Sequence, residues 1–324
     1  MMPYVKIGLL MLAGLVLFLF ALNYLSDGLK AISGEKMQEW LRKFTRTLVS
    51  GILMGVIVTT LLDSSSAVII MTIALVNSRA LTFRQAVGIV LGANIGTTFS
   101  SQLIAFDIGQ WSGVPMAVGF GLMVLTRRET LVQWGQVILG FGLLFLGLFL
   151  MEEAVEPLKQ LPSVVNWMKG LADPWRGVLT GAGVTVLLQS SSATVGMSVV
   201  LAGQGLLTLA AGIAVMMGAE LGTCADTLVA SIGRTKAAVR TGLFHLLFNL
   251  FSILLGLLLI GPFTELVHRL SGQIPLERQL ANAHVLFNAM GVLLVAPFAP
   301  WLASRMERWI PDSPASQKQP VLSS

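Results

Sequence analysis

The chain has 324 residues, of which 55% are hydrophobic and 11% charged, with a formal net charge of +5. A soluble globular domain carries about 25% charged residues, so this composition excludes one and points to a polytopic helical membrane protein. No basic domain is present to bind nucleic acid, and the positive excess is that of Lys and Arg gathered on cytoplasmic loops. The apolar runs do not alternate every second residue, which excludes a β-barrel. The single cysteine, Cys224, excludes an internal disulfide framework.

Ile7–Leu25 is the first predicted span. It follows Lys6 but lacks a small-x-small cleavage pattern, so it is read as a retained helix rather than a signal peptide. Ser26–Arg46 is polar and amphipathic, with Lys30, Lys36, Arg42, Lys43 and Arg46, and predicts an interfacial helix. Thr47–Val76 is apolar except around Asp63-Ser64-Ser65-Ser66. As one helix it would be about 45 Å long, too long for a hydrocarbon core of about 30 Å. Adjacent serines on a helix also sit about 100° apart and cannot share a face. The stretch therefore predicts a re-entrant hairpin over 47–76, two half-length helices meeting at the serines.

Asn77–Arg84 is a polar turn, and the span over 86–106 is expected to break at Gly92-Ala93-Asn94-Ile95-Gly96-Thr97-Thr98. Val114–Thr126 and Leu131–Met151 follow as spans, separated by Arg127-Arg128-Glu129. Glu152–Arg176 is a polar interfacial segment with Pro157, Pro162 and Pro174. A second hairpin is predicted over 178–202 around Gln189-Ser190-Ser191-Ser192. A second broken helix is predicted over 206–232, at Gly218-Ala219-Glu220-Leu221-Gly222-Thr223. Arg240–Ile260 and Ala283–Ala303 are the last spans, and 311–324 reads as a disordered tail.

The chain repeats itself. Residues 51–101 laid on 177–227 need no gap and give 19 identities in 51 positions, among them Gly55/Gly181, Thr59/Thr185, the three serines, Gly92/Gly218, Gly96/Gly222 and Thr97/Thr223. The expected fold is thus an all-α polytopic membrane protein of two inverted repeats, 1–128 and 129–310, each with a re-entrant hairpin and a broken transmembrane helix. With both serine segments as hairpins and the N-terminus outside, Lys and Arg divide 15 cytoplasmic to 6 external; with both as full crossings they divide 14 to 7. Charge alone does not separate the two topologies; segment length and the buried serines favour hairpins.

Hydroxyls and unpaired N–H groups at a helix start form an anion site. Ser64, Ser65 and Ser66 with Gln189, Ser190, Ser191 and Ser192 are the candidate substrate-binding residues. Serine also glues membrane helices together, but two in-register triplets favour function. Gly-rich unwound helix exposes carbonyls to a cation. Asp63, Asn94, Thr97, Thr98, Gln189, Glu220 and Thr223 are the Na+ candidates, with close glycine packing the competing reading. Asp226 is a further carboxylate, discounted for its place near a span end. His245/Asn249 and His284/Asn288 are pairs four apart, read as interhelical hydrogen-bonding residues. There is no Gly-x-Ser-x-Gly elbow and no His-Glu-x-x-His motif, so the chain is read as no enzyme.

Together these motifs resemble the type II sodium–phosphate cotransporter family, marked by two QSSS motifs in inverted repeats, each followed by a GANIGTT-like segment. Gln189–Ser192 and Gly92–Thr98 match in full; Asp63 departs from Gln, Glu220 from Asn and Cys224 from Thr. The resemblance implies a secondary transporter that couples Na+ to inorganic phosphate, with phosphate on the serine hairpins and Na+ on neighbouring polar groups. It implies no cofactor beyond Na+ as coupling ion, a lipid bilayer as surroundings, a bacterial inner (plasma) membrane as location, and admits a homodimer. The two added acids leave an alternative: another oxyanion, or proton coupling through Asp63 and Glu220.

Overall fold

The computed structural model describes residues 2–106 and 109–312; the expected tail lies outside the described residues from residue 313 on. Those residues form fourteen α-helices and no strand. In chain order they begin with α1 (Met2–Phe44), α2 (Leu48–Leu62), α3 (Ser65–Asn77), α4 (Phe83–Ile104) and α5 (Gly113–Leu125). Next come α6 (Glu129–Val155), α7 (Pro162–Gly170), α8 (Pro174–Leu188), α9 (Ser191–Gly203) and α10 (Leu209–Ser231). The last are α11 (Lys236–Leu258), α12 (Ile260–Ser271), α13 (Leu276–Val295) and α14 (Ala299–Trp309). Among the described residues six helical segments are long and apolar enough to cross a bilayer, starting at Val5, Phe83, Glu129, Leu209, Lys236 and Leu276. The helices flanking the serines have 15 and 13 residues in each copy. At 1.5 Å per residue they reach only about 20 Å.

Two expectations are corrected. The stretch Ser26–Arg46 is no separate interfacial helix, because α1 runs unbroken through it for 43 residues, about 65 Å. Met37 and Leu41 on its distal half are fully buried in a core shared by α2, α3, α4, α11, α13 and α14, so packing continues the helix past the apolar span. Nor do the glycine-rich segments break: Gly92–Thr98 lies inside α4 and Gly218–Thr223 inside α10, both continuous. Their glycines serve close approach. A Cβ on Gly92 would stand 2.0 Å from the Ile52 carbonyl oxygen, and one on Gly218 would stand 2.1 Å from that of Val178. Gly55 and Gly181 meet α4 and α10 in the same way, at 2.3 and 2.0 Å. Small residues let membrane helices touch backbone to backbone, so the matched glycines build two matched contacts, α2 on α4 and α8 on α10.

These contacts also give direction. Gly51 meets Gly88, Gly55 meets Gly92 and Thr59 meets Gly96, so α2 and α4 run parallel. Gln85 Nε2 donates to the Thr45 carbonyl at 2.7 Å, holding the starts of α2 and α4 side by side. The chain through α2 and α3 thus comes back to the level it left. In the second copy Gly177 meets Ala214 and Thr185 meets Gly222, so α8 and α10 are parallel as well. α11 runs antiparallel to α10, with Gly242 against Ser231 and Asn249 against Cys224. The start of α11 lies beside the starting end of α4: Arg240 stacks on Phe83, and Asn77 accepts from the Thr235 N–H at 2.9 Å. Hence α4 and α10 point in opposite directions.

Outside this pair, α1 packs antiparallel on α6 through Gly14, Gly28, Gly140 and Gly147. α13 closes the other side, bridging α4 and α10.

Candidate functional site

α2 ends at Asp63 and α8 at Gln189, each in the left-handed region, with φ 52, ψ 31 and φ 52, ψ 32. Such a conformation costs a non-glycine residue about 1–3 kcal/mol and is retained where surroundings impose it. Its effect is to swing the next residue out of the helix. Ser64 and Ser190 are extended, and a new helix starts directly after each. Ser64 Oγ accepts from the Ala67 N–H at 3.2 Å, and Ser190 Oγ from Ala193 at 3.1 Å. The N–H groups of Ser65, Ser66, Ser191 and Ser192 belong to the first turns of α3 and α9, where no intrahelical carbonyl reaches them. Each helix start therefore presents free donors, hydroxyls and the positive end of a helix dipole.

The two starts open into one cavity of about 270 Å3. Its lining includes Asp63, Ser64, Ser65 and Ser66 from the first copy and Gln189, Ser190, Ser191 and Ser192 from the second. Thr97 of α4, Thr185 of α8, and Thr223 and Asp226 of α10 complete the polar wall. α1 contributes Asn23, Ser26 and Lys30. Ser26 Oγ donates to the Leu62 carbonyl at 2.9 Å, satisfying an oxygen freed where α2 stops. Ser100 donates to the Asp63 carboxylate. Ser66 donates to Asp226 Oδ2 at 3.5 Å. Lys30 lies 3.2 Å from Asp27, both partly exposed.

The cation candidates divide. Asp63, Gln189, Thr97 and Thr223 line the cavity. The hydroxyls of Thr97 and Thr223 donate back to the Ala93 and Ala219 carbonyls, both at 3.0 Å, which leaves their oxygens able to accept or ligate. Asn94, Thr98 and Glu220 do not line it. Asn94 donates to the Val90 carbonyl at 2.9 Å and Thr98 to Ile95 at 2.7 Å, both buried. Glu220 is buried behind the cavity, where His284 Nε2 lies 2.6 Å from its Oε1 and Asn288 donates at 3.3 Å. With that proton on Nε2, His284 Nδ1 accepts from Ser101 and ties α13 to both α4 and α10. His245 pairs with Thr227 at 2.9 Å in the corresponding place. The His/Asn pairs are thus interhelical bridges.

Sequence reasoning discounted Asp226 and placed Lys30 on an interfacial helix. Both had a signal. The 126-residue offset that aligns the serines also aligns Asp226 with Ser100, the partner of Asp63. Asn23, Ser26 and Lys30 are spaced three and four apart inside an apolar helix, one polar stripe on one face.

The family model described as Na+/Pi-cotransporter matches residues 17–153 and again 160–294. An uncharacterized protein of Bacillus subtilis, YqeW, is 30% identical over 286 residues, 87% of this chain and 92% of its own length. The putative inorganic phosphate export protein YjbB of Salmonella typhimurium is 27% identical over 305 residues, 94% of this chain and 56% of its own. The chain therefore spans about half of that relative. Human sodium-dependent phosphate transport protein 2B is 31% identical over 99 residues, 30% of this chain and 14% of its own. No solved structure matches. The doubled match falls on the two halves whose serine helix starts share the cavity, and the chain belongs to the Na+/Pi-cotransporter family.

Proposed function

We propose that the protein is a secondary transporter that moves inorganic phosphate across the membrane with Na+. One observation carries this reading: two serine-started helices, 126 residues apart in sequence, open into the same polar cavity. Seven cavity-lining residues at the two tips, the six serines and Gln189, supply hydroxyl, amide and N–H donors, the chemistry that holds a small oxyanion.

Charge balance supports a coupled cation. Asp63 and Asp226 bring two carboxylates to the cavity and Lys30 one ammonium. A bound phosphate adds further negative charge, which Lys30 alone does not offset. Asp63, Gln189, Thr97 and Thr223 are the oxygen donors for Na+, a hard cation that takes carboxylate, amide and hydroxyl oxygens as Ca2+ and Mg2+ do. Glu220, Asn94 and Thr98 brace the helices instead.

In this reading α2–α3 and α8–α9 are re-entrant hairpins from opposite faces of the bilayer, and the repeats are inverted. The return of the chain to its starting level and the opposed directions of α4 and α10 support it. Arg79, Arg84, Arg234, Lys236 and Arg305 cluster at the starting end of α4 and would face the cytoplasm. The names of relatives include both phosphate export and sodium-dependent transport, so the test measures both directions. Purified protein in proteoliposomes should move radiolabelled phosphate down an imposed Na+ gradient, inward or outward. Ser65→Ala and Gln189→Ala should each abolish most of it. Phosphate flux that ignores Na+ but follows a pH gradient would instead select proton coupling through Asp63.

A further inference from the structure

The cavity holds a carboxylate where an anion site would be expected to exclude one. The repeat offset pairs Asp63 with Gln189 and Ser100 with Asp226. In the first copy the acid is on the tip and the hydroxyl on the long helix, and Ser100 engages Asp63. In the second copy the acid sits on the long helix and the tip carries a neutral amide. Asp226 has no close hydroxyl donor among the described residues, such as Asp63 has in Ser100. Among the described residues its hydrogen-bond donor is Ser66, at 3.5 Å, the outer limit of such a bond.

Asp226 thus turns acceptor lone pairs toward a space ringed by donors. A carboxylate repels an anion unless a proton lies between them. Inorganic phosphate at neutral pH always carries at least one P–OH; sulfate carries none. We propose that Asp226 is a specificity-determining residue: its carboxylate accepts a hydrogen bond from the P–OH of hydrogen phosphate and rejects oxyanions without a proton. The inference rests on the phosphate reading above. The other charged groups at the cavity do not take this role, since Asp63 is engaged by Ser100 and Lys30 is a donor. A site that holds a substrate hydroxyl strongly rejects the analogue that lacks it.

The test is equilibrium binding of radiolabelled phosphate to the purified full chain in saturating Na+, with arsenate and sulfate as competitors. Wild type should release phosphate to arsenate, which keeps its proton, and not to sulfate. In Asp226→Asn the preference for phosphate over sulfate should fall about ten- to a hundredfold, the worth of one charged hydrogen bond. Asp226→Glu should retain the preference. Asp226→Ser, which restores the first copy's residue, should lose it as Asn does and serves if the Asn variant does not fold. An unchanged preference in either neutral variant overturns the inference, as does a variant that changes only the Na+ requirement, which would make Asp226 a cation ligand. Sulfate binding to wild type as tight as phosphate binding overturns it while leaving the phosphate reading intact. Absence of phosphate binding to wild type at any Na+ level refutes the phosphate reading itself.

Discussion

Gly92→Ala and Gly218→Ala test whether these glycines pack helices or loosen them. A Cβ at either position would stand 2.0 or 2.1 Å from a carbonyl oxygen of the facing helix, against 3.4–4 Å for ordinary contact. The obstructing atom is backbone, so no rotamer change relieves it, and α2 must retreat from α4, or α8 from α10, by about 1 Å or more. Overpacking of this kind costs about 1–3 kcal/mol. Alanine in a helix recovers up to about 1 kcal/mol relative to glycine, so a net loss of about 1–2 kcal/mol is expected for each. Gly183→Ala, on α8 with nothing within 4 Å of its Cβ, should instead stabilise. Unfolding of the purified protein in mixed micelles, followed by tryptophan fluorescence, separates the two signs. Retreat of α2 would also draw Asp63 from Ser100, so phosphate flux should fall with stability in Gly92→Ala. If Gly92→Ala and Gly218→Ala match Gly183→Ala in stability, the close-contact argument is wrong and the segments are flexible.

Further outcomes follow from the same contacts. Ser65→Ala and Ser191→Ala should each weaken apparent phosphate affinity by about tenfold or more, since a hydrogen bond to a charged group is worth about 1.5–3 kcal/mol; concentration-dependent uptake reads this. Glu220→Gln should lower the unfolding midpoint by disturbing the His284 bridge while the Na+ concentration for half-maximal transport stays near that of wild type, and a large rise in it would put Glu220 in the cation path. Arg240 is buried, donating to the Ile310 carbonyl at 2.7 Å and to Asp312 at 2.9 Å. Arg240→Met should free the chain after α14, and limited proteolysis should then cut near residue 310 faster than in wild type.

The candidate site is legible where chemistry repeats. Serine triplets in an apolar background have few structural uses, and their twofold occurrence at fixed offset points to both helix starts. Half-length helices followed from arithmetic on chain length. The glycine segments misled because a small residue reads the same whether a helix unwinds or is approached closely; only the facing Ile52 and Val178 carbonyls distinguish the two. Glu220 lies off the cavity, and its acid is engaged by His284, a partner 64 residues away that no local pattern announces. Asp226 stands close to a span end along the chain, yet it lines the cavity and meets Ser66, 160 residues away, which sequence distance does not announce.

In the proposed transporter, the exchange of Asp63 and Ser100 for Gln189 and Asp226 makes the two halves unequal. Were the halves identical and inverted as proposed, a rotation would convert an inward-open arrangement into an outward-open one, and the unloaded protein would rest in both equally. Unequal placement of acid and amide lifts that degeneracy. On the proposed function, the empty carrier then favours one mouth, and the solute meets a different order of charges on arrival than on departure.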